Sequence, residues 1–250
     1  MNALDQYRGG QQPSSDVIGE ILNAVRGRCV LIFGDEAVGK STLCAMLASR
    51  ISGRKVLLAL DENILDEFGD ALKKLAGWEV WEIESDVHLV RCVKLLTRPP
   101  SWHRESNKPR PAFIAIDSIT SIVEVVDIDD PRDMRYNLIP NRVGRKVAFL
   151  LSRYCRKHGY TAVITAHPTS LIPVKTPNGR TVQRTWYGRP YKPTMVSRAL
   201  RHLRLILELR KVEKKEDDKL ATKRILEVVF DRHNKLTGKS WLLPHIEVKV

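Results

Sequence analysis

Eight consecutive residues, Gly34, Asp35, Glu36, Ala37, Val38, Gly39, Lys40 and Ser41, fit the pattern G-x-x-x-x-G-K-[ST] without a mismatch, and Thr42 follows them. Glycines at both ends let the backbone turn tightly enough for successive N–H groups to point at one anion. Lys40 brings a mobile ammonium for the β- and γ-phosphates of a nucleoside triphosphate, and the Ser41 hydroxyl is a ligand for Mg²⁺. Thr42 is placed to meet the α-phosphate. An apolar run (Cys29–Phe33) leads into Gly34, and a helical pattern with Leu43, Met46, Leu47 and Ile51 on one face leaves from Ser41. That helix start adds partial positive charge at the same spot.

Asp117 closes the apolar run Phe113–Ile116, 77 residues after Lys40. An acid at the carboxyl end of a buried strand beside the phosphate-loop strand can hold Mg²⁺ through water. Taken alone it can equally cap a helix. The run 55–60 ends in Asp61-Glu62-Asn63, expected to open on the same phosphate mouth, and Glu62 is the candidate base for the attacking water, with Asp61 behind it. A cluster capping the next helix is the competing reading. His167 ends the run AVITAH and is a candidate contact to the γ-phosphate, or else a structural donor.

These groups need a scaffold that brings strand ends together. Apolar runs of strand length at 28–33, 55–60, 78–83, 112–117 and 160–165 alternate with helical periodicity at 40–52, 65–76, 86–97 and 142–158, after a first helix at 16–26. Continuous apolar strands with helices between them predict a mostly parallel α/β sheet covered on both faces. Residues 99–111 hold four prolines and read as a loop. A long Pro-, Gly- and Thr-rich segment, 168–195, also reads as a loop. The C-terminal part reads as β: 197–210 (helix being the alternative) and 224–231 flank a charged turn, KVEKKEDDK, and 240–250 supplies a last strand. Residues 1–15 are polar and are expected to be a flexible lead-in.

The four cysteines are scattered among apolar residues and form no CxxC pair, so buried thiols are expected rather than a disulfide or zinc. No apolar run reaches the roughly 18–20 residues of a membrane-spanning helix, and the N-terminus lacks a signal-like stretch. A cytoplasmic protein without membrane association is the expectation. The net charge of +13 is regional: from Met134 to Leu207 there is no Asp or Glu, but fifteen of the 42 Lys/Arg, which leaves 27 basic against 29 acidic residues elsewhere. Such segregation suits a polyanion. Within it, Lys175, Arg180, Arg184, Arg189 and Lys192 are interleaved with Trp186, Tyr187 and Tyr191. Cations can neutralise phosphates and aromatic faces can stack on bases, so a nucleic acid bound with little sequence preference is the expected partner, an ordinary solvated loop being the bland alternative.

The segments GDEAVGKST, FIAIDSIT and AVITAH followed by a long loop resemble the RecA/RadA recombinase superfamily, across roughly residues 14–232. The resemblance implies a RecA-like P-loop NTPase core with a C-terminal antiparallel extension at about 197–250, all within one domain, 16–250. It implies ATP with Mg²⁺, DNA as partner and a role in recombination or repair, with DNA-binding loops near 127–141 and 168–195. A chain starting almost at the core looks like the short archaeal RadB-type paralogues without the N-terminal DNA-binding domain, which implies the main recombinase as a possible partner and homo-oligomers as possible. Ala166-His167 stand where the family has Asn-Gln, and Asp61-Glu62 stand one position short of its Asp-Thr-Glu order. Two alternatives stay open: a KaiC-like regulatory ATPase acting on a protein, and a paralogue that binds ATP without turnover.

Overall fold

The computed structural model describes residues 16–60, 67–123, 134–171, 173–175, 181–182, 185–193, 199, 201–216 and 219–244. Five helices are described: α1 (Val17–Val25), α2 (Lys40–Ser49), α3 (Glu67–Ala76), α4 (Asp86–Thr97) and α5 (Met134–His158). The main sheet contains β1 (Cys29–Phe33), β2 (Lys55–Ala59), β3 (Glu79–Glu82), β4 (Phe113–Asp117), β5 (Thr161–Ala166), β10 (Leu205–Glu216), β11 (Lys219–Asp231) and β12 (Ser240–Leu243) in the order β12-β11-β10-β1-β5-β4-β2-β3. β10, β1, β5, β4, β2 and β3 run parallel, while β10–β11 and β11–β12 are antiparallel. The predicted parallel sheet and its antiparallel extension are both present.

Strand alternation explains why the sequence runs read as continuous. In β1, Cys29, Leu31 and Phe33 enter one core with α4 and α5, while Val30 and Ile32 enter a second core with α1 and α2. β4 divides the same way, Ile114 and Ile116 to one face, Phe113 and Ala115 to the other. With both faces covered, a polar residue on either would be desolvated, so every position of these two strands up to Asp117 is apolar. Each large side chain buried this way contributes about 1.5–3 kcal/mol. All four cysteines are free and buried in these cores.

Three expectations change. α5 begins at Met134, eight residues ahead of its predicted start, so the second half of the expected first loop (127–141) is helix. The charged segment 211–219 is mostly strand: β10 runs to Glu216 and β11 starts at Lys219. A two-stranded ribbon has no need of a covered face, so a charged run can be strand as readily as turn. Parts of the segment 168–195 are strand rather than loop. β6 (Pro168–Ser170) pairs antiparallel with β9 (Tyr191–Pro193), β7 (Val174–Lys175) with β8 (Thr181–Val182), and Trp186 bridges to Arg189. Thr, Val and Tyr interleaved with turn formers give short antiparallel pairs.

Candidate functional site: a phosphate loop at the carboxyl edge of the sheet

The chain leaves β1 at Phe33 and enters α2 at Lys40 through the predicted loop. Gly34 is buried, and a Cβ there would lie 2.2 Å from the Leu209 carbonyl oxygen of β10, so only glycine fits. Ala37 (φ 53°) and Gly39 (φ 99°) are both left-handed. At Ala37 this costs roughly 1–2 kcal/mol relative to the right-handed region. Alternating hands turn successive amides toward one point and make an anion-binding concavity. Two other helices are closed by side chains: Asp16 accepts from Gly19 N at α1, and Ser85 from His88 N at α4. At α2 the N-cap is Gly39 and no side chain caps it. Its first amides keep their partial positive charge for a ligand.

Lys40 is 94% buried, its ammonium donating to the carbonyls of Gly34 (2.9 Å) and Asp35 (2.7 Å). Burial pushes its pKa down, while Asp117, Asp35 and Glu36 pull it back up. A buried cation held only by loop carbonyls is a strong phosphate attractor. Ser41 and Thr42 are half-buried in the next turn. Arg224 of β11 donates from Nε to the Val38 carbonyl (3.1 Å), which braces the outside of the loop.

Asp117 ends β4 as predicted, but β4 is not the direct neighbour of β1: β5 lies between them. The interposed strand supplies a hydroxyl, Thr165 Oγ1, which donates to Asp117 Oδ1 at 2.5 Å. Asp117 is 97% buried, and its carboxylate still acts on Lys40 and raises the Cys44 thiol pKa, after burial, the larger cause. The Asp117 carboxylate thus lies within electrostatic reach of the Lys40 ammonium, and Ser41 follows Lys40 in α2. Chemically they fit a metal-bound polyphosphate: a compact anion cradle, a buried cation, one hydroxyl and one carboxylate. The Asp117–Ser118 peptide is cis.

His167 follows β5 directly, beside β1, and its N–H donates to Thr120 Oγ1 (2.8 Å). Gly34 N donates to the Ala166 carbonyl (3.3 Å). The end of β5 is thus tied to the phosphate loop on one side and to the turn after Asp117 on the other. Glu62 and Asp61 lie outside the described residues. The strand before them, β2, stands three positions from β1, roughly 14 Å at about 4.8 Å per strand.

The candidate nucleic-acid residues separate. Arg180 and Arg184 lie outside the described residues, and Lys175 is known only as a backbone position in β7. Trp186 packs edge-on against Phe33 (6.0 Å between centroids), as does Tyr191 (6.5 Å). Arg189 turns inward, with Nε 2.5 Å from Glu208 and Nη2 2.9 Å from Glu227. Glu208 is 98% buried and also accepts from the Tyr191 hydroxyl, while Arg210 pairs with Glu227. Burial and the Glu208 contact raise the Tyr191 pKa to about 12. Tyr187 is 52% exposed and Lys192 half-buried. A cavity of about 170 Å³ joins this network to Gly34, Asp35, Glu36 and Val38.

Sequence reasoning missed Thr165, Thr120, Glu208, Glu227 and Arg224. Only Glu208 carried a visible signal, as a single acid inside the apolar run Leu205–Leu209.

A mostly parallel sheet with a phosphate loop after a central strand and an acid at the end of β4 is a RecA-like P-loop fold. The solved structure of RadB recombinase matches 87% of this chain and 87% of its own at 13% identity, with a TM-score of 0.54. A KaiC-like protein from the hyperthermophilic archaeon Pyrococcus horikoshii OT3 is matched over 93% of this chain and 96% of its own, at 15% identity and a TM-score of 0.49. No protein-family model and no curated protein matches the sequence. Among the described residues no helix is long and apolar enough to cross a membrane.

Proposed function

We propose that this chain is an ATP-binding, ATP-hydrolysing protein of the RecA/RadB kind that binds single-stranded DNA and assists recombination or repair. The observation that carries the nucleotide part is Lys40, a buried ammonium at an uncapped helix start, with the Asp117 carboxylate acting on it. Residues Gly34–Thr42 would receive the triphosphate, Lys40 would meet its terminal oxygens, and Ser41 with Asp117 would hold Mg²⁺. Bound Mg²⁺ supplies neutralisation of phosphate charge. Glu62 is proposed to orient the attacking water, and His167 to relay the nucleotide state into the segment after β5.

The DNA part rests on the acid-free stretch and on the hairpins that follow β5. They sit against the phosphate loop through Trp186 and Tyr191, so a strand lying on them would lie near the nucleotide. Tyr187 and Lys192, with Lys175, Arg180 and Arg184, are the proposed contacts. Two measurements test the reading. Lys40→Ala should lose ATP binding in equilibrium dialysis; unchanged affinity rejects the site. Fluorescence anisotropy with a labelled single-stranded oligonucleotide should show binding that weakens steeply with salt. Salt-insensitive or absent binding removes DNA from the proposal and leaves a nucleotide-dependent protein with a protein partner.

A further inference from the structure

A cavity of about 410 Å³ lies at the opposite edge of the sheet. It is walled by the end of α4, the 99–111 segment and the last two turns of α5. Arg54, Pro111 and His158, which line it, stand just before the amino ends of β2, β4 and β5. The phosphate loop follows the carboxyl end of β1, so a five-residue strand, about 15 Å, separates the two places.

Charge distinguishes this cleft. Six Lys/Arg line it against one carboxylate, Glu105. Two of the six are compensated: Arg54 pairs with Glu105 (2.7 Å) and Glu79 (2.9 Å), and Lys108 with Glu105 (3.0 Å) and Glu79 (3.1 Å). Burial pushes the Glu105 carboxyl up, but hydrogen bonds from Lys108 and Arg54 hold it below its usual range, so this group is a fixed ionic floor. Arg98, Arg110, Arg153 and Lys157 remain, and none of them makes an ion pair among the described residues. Arg110 sits 2.8 Å from His158 Nε2. Guanidinium only donates, so that nitrogen accepts and the ring is neutral. The depth is real: Thr97 and Tyr154, both over 95% buried, form the floor, and the Tyr154 hydroxyl donates to the Pro111 carbonyl (2.8 Å). The volume is that of a small-ligand pocket.

We propose that this cleft is a second anion site, separate from the phosphate loop, that takes a phosphate-bearing ligand of nucleotide size or smaller through Arg98, Arg110, Arg153 and Lys157. Three guanidinium forks and an ammonium match a group with several acceptor oxygens and more than one negative charge. The neighbours of His158 agree. Burial, then Arg110 and Lys157, hold its pKa below the usual value, and among the described residues Tyr154 and Tyr160 are the other titratable rings packed against it. A ligand bringing negative charge relieves that repulsion and raises it.

The test uses the full chain and reads His158 directly, which keeps it independent of the nucleotide site. The His158 ring resonances, assigned with His158→Gln, are followed by NMR during titration with inorganic pyrophosphate and, separately, with a single-stranded oligonucleotide. A saturable shift with pyrophosphate, weakened about tenfold or more by Arg153→Ala/Lys157→Ala, supports the site and a free phosphorylated ligand. A shift with the oligonucleotide that competes with pyrophosphate also supports it, and assigns the phosphate to a strand. Flat titrations with both, or equal affinity in the double variant, overturn it. ATP affinity at the phosphate loop should not change in that variant, so the cleft and the nucleotide site stand or fall separately.

Discussion

The phosphate loop and the hairpins after β5 lie side by side, yet they teach opposite lessons. In the loop, the proposed function would reside in the backbone. Gly34 and Gly39 are required by a 2.2 Å approach and a left-handed φ, and the chemistry follows from their spacing. In the hairpins, function would reside in side chains whose direction depends on what they meet. Trp186 and Arg189 have the composition of a nucleic-acid surface, and the fold turns both inward. The acid-free stretch in sequence is not acid-free in space, because Glu208 and Glu227 arrive from β10 and β11 to meet it.

The comparison can be broken most forcefully at Glu208. Removing one partner of a buried, hydrogen-bonded charge cluster costs about 3–5 kcal/mol, and since Arg189 is partly exposed, the lower end is expected for Glu208→Ala. Urea unfolding measures it, and a loss below about 1 kcal/mol would mean that Arg189 is free after all. Next comes Gly34→Ala, where the new methyl meets the backbone of β10. A loss of about 2–3 kcal/mol is expected, together with loss of ATP binding. Normal ATP affinity there contradicts the loop geometry.

Thr165→Val sharpens the metal assignment. It removes a hydrogen bond to a buried carboxylate, about 1.5–3 kcal/mol, and should weaken ATP binding in Mg²⁺ but not in EDTA. An equal effect in both media makes Asp117 structural only. Tyr187→Ala separates surface from core within the hairpins. Stability should change by less than about 0.5 kcal/mol, while oligonucleotide affinity falls about tenfold, since one stacked base contributes about 1–3 kcal/mol. The smallest effect concerns the thiols. Burial raises the pKa of all four, that of Cys155 to about 12, so the thiolate forms only well above neutral pH. Iodoacetamide at pH 8 should label none of them before urea unfolds the chain, and rapid labelling of the native protein would show a core more open than described.

The element pattern was legible because burial on both faces leaves a local trace: β1, β2, β4 and β5 fall within a residue or two of the expected apolar runs. The start of α5 and the extent of the β10–β11 ribbon were not, because a polar helix turn, a charged strand and a loop share one composition. Asp117 could be found from the strand it ends, whereas its separation from Lys40 by β5, and the Thr165 hydroxyl that this brings, depend on strand order.

By itself the sequence determined where a phosphate loop could form, which strands are covered on both faces, and which ammonium and carboxylate could serve one phosphate. Those properties depend on neighbours along the chain, within a turn or a strand. Only the tertiary structure decided which cations are spent on internal carboxylates and which are left over. Arg189 is neutralised by acids 19 and 38 residues away, and Arg153 and Lys157 keep their charge over a cleft at the far edge. Coulomb energies depend on distance through space, and sequence order carries no record of that distance until the strands are in place.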